Sequence, residues 1–239
     1  MKEGPLLLHA NIPLRGITSP ETLESCQAAI TYSWLAMAIL IGLALIARFS
    51  LKKTAPTGVQ NLLETVVGGL ENFVVDIMGP EGRHYLPLIG TFFLFILVCN
   101  LQGLIPGFDS PTANINTTLA LALVSFSATH YIGVKRHGIG YIKHFMGPMW
   151  GLAPLMLPIE LISHFARVMS LTFRLFGNMV AKHKLLLVLA LLAPYIAPVP
   201  ILGLGLLVAF VQAGVFTLLT MLYLSGSIEA AHIGGGDHH

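Results

Sequence analysis

The stretch Ser170-Leu-Thr-Phe-Arg174-Leu-Phe-Gly-Asn178 sets a guanidinium inside an almost wholly apolar run. Arginine keeps its charge in any protein environment. At the centre of a membrane span it costs roughly 2.5–3.5 kcal/mol on insertion scales. Glu160, His164 and Arg167 lie upstream of it and Asn178 closes the stretch. On a helix turning about 100° per residue, Glu160, His164, Arg167, Leu171, Arg174 and Asn178 follow one another at alternating steps of four and three residues and share one face. Only Leu171 in that series is apolar. Gln212, in the middle of the next long apolar run, is the candidate to face it.

Two readings of this face are open. It can be an intramembrane ion pair, Glu160 with Arg167 or with His164, that only holds helices together. It can instead bind or move an ion, which is the default for ionisable groups at that depth. Arg174 weighs toward the second. The next acid beyond it is Glu229, and an unpaired buried cation is costly. Its counter-charge is expected from another subunit or from a transported ion.

Composition places the rest of the chain. Its 239 residues are 55% hydrophobic and 10% charged, and mean hydropathy is +0.78, the range of polytopic membrane proteins. A formal net charge of +2 gives a nucleic-acid partner no support. Cys26 and Cys99 match no metal or redox spacing, and Cys99 reads as a buried thiol. No metal site and no cofactor motif is recognisable.

Residues 1–26 read as a retained external segment, because Lys2, Glu3, Glu21 and Glu24 do not suit a cleaved signal. Gln27–Ala47, Tyr85–Pro106 and Thr117–Val134 read as the first three spans, within 27–135. Arg48, Lys52 and Lys53 follow the first, and Lys135, Arg136 and His137 follow the third, so both ends are expected to be cytoplasmic. The N-terminus then lies outside and the C-terminus inside. Between the first two spans, Gly58–Met78 has an apolar stripe with Glu64, Glu71 and Asp76 on other faces. It reads as a cytoplasmic-side amphipathic helix, and its purely acidic charges favour a protein partner over anionic lipid.

The last third, 145–228, reads as a helical hairpin whose turn is marked by Pro194, Pro198 and Pro200. Its first helix is too long for a perpendicular crossing and must tilt steeply, bend or break. Lys182-His183-Lys184 reads as a polar interruption near one membrane face, with His183 able to titrate in the physiological range. His130, His137 and His144 read as snorkelling or interfacial residues. The expected fold is an all-α membrane protein, one integral domain over 1–239. It has about five membrane-embedded helices plus the amphipathic helix, and the last two form a long, strongly tilted hairpin. The tail Gly234–His239 reads as a flexible end without a role.

At Arg174-Leu-Phe-Gly-Asn178 the sequence resembles subunit a of the bacterial F-type ATP synthase, the static part of a membrane proton turbine. Asn100-Leu-Gln-Gly-Leu-Ile-Pro106, Asn114-Ile-Asn-Thr-Thr118, Gln212-Ala and Tyr223-Leu224 carry the resemblance over most of the chain. It implies an ion-translocating subunit, not an enzyme by itself, in the bacterial inner membrane. Two half-channels would pass protons to and from the carboxylates of a rotating c-ring. Arg174 would favour the ionised form of each passing carboxylate and keep the half-channels apart. The resemblance assigns Glu160 to the cytoplasmic half-channel, with Arg167 matching another upstream polar position. Asn178, His183 and Gln212 match external positions, and His164 and Asn116 join the ion pathway. Implied partners are the c-ring, the peripheral-stalk b subunits, the soluble F1 head indirectly, and membrane lipids.

Three departures from the family pattern stand out. Lys182-His183 replaces the Gly-Glu of many bacterial relatives, Gly205 stands where a second titratable residue is usual, and Asn114 replaces an acid. The external pathway is then expected to lean on His183 and bound water. A secondary transporter is the chief rival reading, but no internal repeat is evident. A membrane-embedded hydrolase lacks a recognisable nucleophile–base pair. A purely structural scaffold is the plainest alternative.

Overall fold

The computed structural model describes residues 20–50, 59–105, 108–137, 153–192 and 198–229. Six α-helices account for most of them: α1 (Pro20–Ser50), α2 (Val59–Met78), α3 (Leu86–Gln102), α4 (Ile115–His137), α5 (Ala153–Leu192) and α6 (Pro198–Glu229). Two 3-10 segments, Pro80–Tyr85 and Pro111–Ala113, precede α3 and α4. Segments Ser25–Ile46, Pro80–Gln102, Ile115–Arg136 and Val199–Ile228 are long and apolar enough to cross a membrane. α5 has 40 residues, about 60 Å at a rise of 1.5 Å each and so about twice a hydrocarbon core. Its interruption by charged residues sets it apart from the other four. The all-α membrane fold is as expected, with four segments of spanning length and further helices beside them.

α5 does not break. It runs on past Pro158 near its start and through Lys182-His183-Lys184 to Leu192. The hairpin turn at Pro194 lies outside the described residues, as do residues 1–19, 138–152 and the tail from 230. α3 stops earlier than the expected limit of Pro106. The N–H groups of Leu104 and Ile105 fold back to Leu101 and Gln102 carbonyls at 3.0 Å, a turn that Gly103 opens.

α2 ends at Gly79, whose φ of 72° favours glycine, and its N–H donates to Val75 at 2.9 Å. Pro80 then starts the 3-10 segment into α3. The apolar stripe of α2 divides. Val74 packs into a small core with Ile89 of α3 and Met221 of α6, while Val67 and Phe73 stay exposed. Two ion pairs mark this end of the molecule: Glu71 with Arg83 at 2.9 Å, and Glu81 with Arg136 of α4 at 2.6 Å. Exposed pairs of this kind add about 0–1 kcal/mol, so they fix register more than stability.

The main core joins Phe92 and Ile96 of α3, Ala122 of α4, Leu171 and Leu175 of α5, and Phe216 of α6. α4 packs on both α5 and α6, and α3 packs on α6 and α1. A buried Ser125–Thr220 hydroxyl pair at 3.0 Å links α4 to α6, a type of bond worth about 1 kcal/mol between membrane helices.

Candidate functional site

α5 buries His164, Val168, Leu171, Leu175 and Met179, steps of four, three, four and four residues. The polar stripe is therefore the border of the buried seam, not its centre. The stripe dips into the core at His164 and at Leu171, and of these only Leu171, 3% exposed, is apolar. Arg174 precedes Leu175 and so points about 100° away from it. It is half-buried, and its Nη2 lies 3.4 Å from Ser170 Oγ. Among the described residues no carboxylate comes within 4.0 Å of its guanidinium. Phe173 beside it is 51% exposed, and Phe210 and Val211, next to Gln212 on α6, are exposed too. The charge stands at the edge of an open apolar face.

Toward the start of α5, Glu160 Oε1 lies 3.3 Å from His164 Nε2. Of the two partners left open in the sequence, His164 is the one that Glu160 approaches. Arg167 instead places its guanidinium 3.9 Å from the ring centre of Tyr223 on α6, a cation–π contact. His164 is buried toward α4, its ring 5.7 Å from Phe126 and 4.8 Å from His130. His130 therefore corrects the interfacial reading. It is half-buried, stacked on Phe126 at 4.0 Å, with Nδ1 2.9 Å from the Phe126 carbonyl oxygen. Spacing along α4 could not reveal that α5 covers this position. His137's side chain and His144 lie outside what the structure describes.

Further along α5, Asn178 Nδ2 donates to Gln212 Oε1 at 2.6 Å, so α6 does face the stripe at Gln212. Lys182 and His183 lie within the continuous helix. They contact the turn after α3. Lys182 Nζ lies 3.5 Å from the Asn100 carbonyl oxygen, and its stem passes Gly205, where a Cβ would stand 3.1 Å from Lys182 Cδ and 2.8 Å from Leu104 Cδ2. His183 lies against Gly103, where a Cβ would come within 3.3 Å of Nε2. Beneath them is a buried polar net: Ser110 Oγ donates to the Cys99 carbonyl at 2.8 Å, and Thr112 Oγ1 to Asn100 Oδ1 at 2.8 Å. Cys99 is fully buried, as expected.

Asn116 is not brought to the stripe. Its amide approaches Cys26 Sγ of α1 at 3.5 Å, and its N–H donates to Asn114 Oδ1 at 2.9 Å. Sequence reasoning missed His130, the Tyr223 ring under Arg167, and the Asn100–Lys182 contact. Asn100 and Tyr223 were visible only as parts of motifs, and His130 only as an imidazole near the end of a span. Among the described residues no group of three or more His, Cys, Asp or Glu is arranged to hold a metal ion.

The family described as ATP synthase A chain matches residues 30–225 of this chain. ATP synthase subunit a of Trichlorobacter lovleyi is 54% identical over 209 residues, 87% of this chain and 90% of the relative. ATP synthase subunit a 3 of Pelobacter propionicus is 52% identical over 220 residues, 92% and 96% of the two chains. ATP synthase subunit a of Geobacter sulfurreducens is 52% identical over 209 residues, 87% and 91%.

Proposed function

The chain belongs to the ATP synthase A chain family, and from that membership we propose that it is the static ion-channel subunit of the membrane sector of a rotary ATP synthase. It translocates ions and leaves nucleotide chemistry to partner subunits. The whole chain acts as a single integral membrane domain, with the α5–α6 hairpin strongly tilted. The single observation that carries the mechanism is Arg174, a permanent charge at the edge of an open apolar face with no carboxylate within 4.0 Å among the described residues. A ring of small proteins that each bring one membrane carboxylate past this edge supplies the missing counter-charge.

Arg174 favours the ionised form of the passing carboxylate by direct attraction, so each ring subunit must give up its proton on arrival. It also bars a continuous proton path along α5. The Glu160–His164 end lies on the side of the Glu81–Arg136 pair, whose basic flank fits the cytoplasm. The Asn178–Gln212 and His183 end lies by the turn after α3, which carries no Lys or Arg and fits the exterior. A proton that enters at one end leaves at the other only after riding the ring. About 2.3 kcal/mol is available per charge per 100 mV, so several ions must pass for each ATP made.

Purification of the chain from native membranes in mild detergent tests the reading. A stoichiometric ring of small proteolipids, the peripheral stalk and a soluble nucleotide-binding head should come with it. Isolation of the chain alone, active in solute uptake in vesicles, would instead support a secondary transporter.

A further inference from the structure

We propose that Tyr223 is a positioning residue: its ring holds the Arg167 guanidinium against α6 and keeps that permanent charge off Glu160. This rests on the proposed function and adds α6 to the half-channel that the Glu160 end serves. Arg167 Cζ stands 3.9 Å from the centre of the Tyr223 ring, well inside the range of a cation–π contact. Glu160 Oε1 approaches His164 Nε2 at 3.3 Å. Among the described residues, no Arg167 nitrogen comes within 4.0 Å of a Glu160 oxygen.

That separation is not imposed by α5. Glu160 and Arg167 lie seven residues apart, two turns along one face and about 10 Å along the axis. Side chains on a helix lean toward its N-terminus, so Arg167 leans toward Glu160, and the two long side chains together can span the gap. What turns Arg167 aside comes from α6. Tyr223 packs against the main core and is followed by Leu224, 1% exposed, so its ring has a fixed place. Arg167 is half-buried, and a ring face attracts a guanidinium more strongly where water is kept away. The ring balances the charge without using up a carboxylate.

The consequence falls on Glu160. A guanidinium resting on a carboxylate favours the ionised form. Held there, Glu160 would release a proton readily but take one up poorly, and the half-channel would load only in acid. The other groups around it are His164 on α5, whose ring meets His130 of α4 at 4.8 Å, and Tyr223, which α6 brings to Arg167. Lys135 and Arg136 lie further along α4 and exposed, Arg136 being engaged by Glu81. Arg167 is thus the permanent charge nearest Glu160 along the stripe, and Tyr223 decides where it rests.

The test uses intact complexes in inverted vesicles, where the Glu160 side is expected to face the medium. ATP-driven proton uptake is measured as the outer pH is varied, with ATP hydrolysis by the detached head as the reference. Tyr223→Leu frees Arg167 and should move the pH of half-maximal uptake down by about one unit. Tyr223→Phe keeps the ring and should keep the wild-type midpoint. In an Arg167→Gln background, Tyr223→Leu should move the midpoint no further, because there is no guanidinium to release. An unmoved or raised midpoint in Tyr223→Leu, or the same shift with and without Arg167, would overturn the proposal and leave a packing role. If Tyr223→Leu does not assemble, ring-fluorinated phenylalanine at position 223 decides, since it keeps the shape and drains the ring's negative face. A midpoint that falls as fluorine is added supports the holding contact, and one that stays put overturns it. Arg174→Ala is run in parallel. Normal pumping by that variant removes the proposed function itself, whereas an inactive Arg174→Ala beside an unmoved Tyr223→Leu midpoint removes only the role of Tyr223.

Discussion

The two ends of α5 lie on one continuous helix and are built from different chemistry. The early end gathers a carboxylate, two imidazoles and a guanidinium resting on Tyr223, with α4 and α6 as its walls. The later end joins two amides, Asn178 and Gln212, and presses Lys182 and His183 onto the turn after α3. Proton-accepting groups thus concentrate at the first, while His183 is the imidazole of the second. On the proposed function, the difference lets one helix serve two compartments. Its register holds both polar sets on one border of the seam, and its length separates them across Arg174, which can pair with a passing charge but cannot carry a proton.

The largest effect should come from removing the divider. Arg174→Ala should assemble yet lose ATP-driven proton pumping by on the order of a hundredfold or more, the scale seen when one preorganised electrostatic group is deleted. Passive proton leak through the membrane sector should rise as the two ends come into contact. Arg174→Lys should also perform poorly, since lysine lacks the planar fork and can lose its proton when desolvated. Near-normal coupled pumping by an assembled Arg174→Ala complex would mean that the ends are not separated by this residue.

A smaller loss should follow from opening the amide bond at the later end. Asn178→Leu leaves the buried Gln212 oxygen without its 2.6 Å donor, a defect of about 1–3 kcal/mol. Thermal stability of the purified complex should fall and pumping should drop about tenfold. Gln212→Leu added to it removes both partners and should restore stability without restoring pumping. Recovery of both together would make the pair a structural fastener.

The smallest effect sharpens the comparison by pH. His183→Leu should slow ion-driven turnover about two- to fivefold and flatten its dependence on external pH, since the imidazole is removed. His137→Leu serves as the control. Identical profiles for wild type and His183→Leu would leave the later end without a titrating side chain at that position.

Much of this was legible in the sequence. Spans, basic ends and the amphipathic helix follow from runs of apolar residues and the charges that bound them, and the stripe follows from helical spacing alone. Gln212 facing the stripe was foreseeable because it lies in the middle of the long apolar run joined to the stripe by one proline-marked turn. His130 was not, because an imidazole four residues inside a span limit looks the same whether lipid or another helix covers it. Asn116 shows a related limit: its motif marks the start of α4, and only packing shows that α1 is its neighbour.

The sequence by itself determined that this protein is a bundle of membrane helices carrying an arginine within an apolar run. Local chemistry suffices for that, since hydrocarbon forces backbone bonds to close within each helix and a guanidinium cannot discard its charge. The tertiary structure decided which neighbour each polar group met. Glu160 paired with His164 and not with Arg167, His130 joined them from α4, and the missing side chain at Gly205 let Lys182 reach Asn100. Those outcomes depend on how helices far apart in sequence rotate and settle against one another to fill a common core, and no spacing within a single helix encodes that.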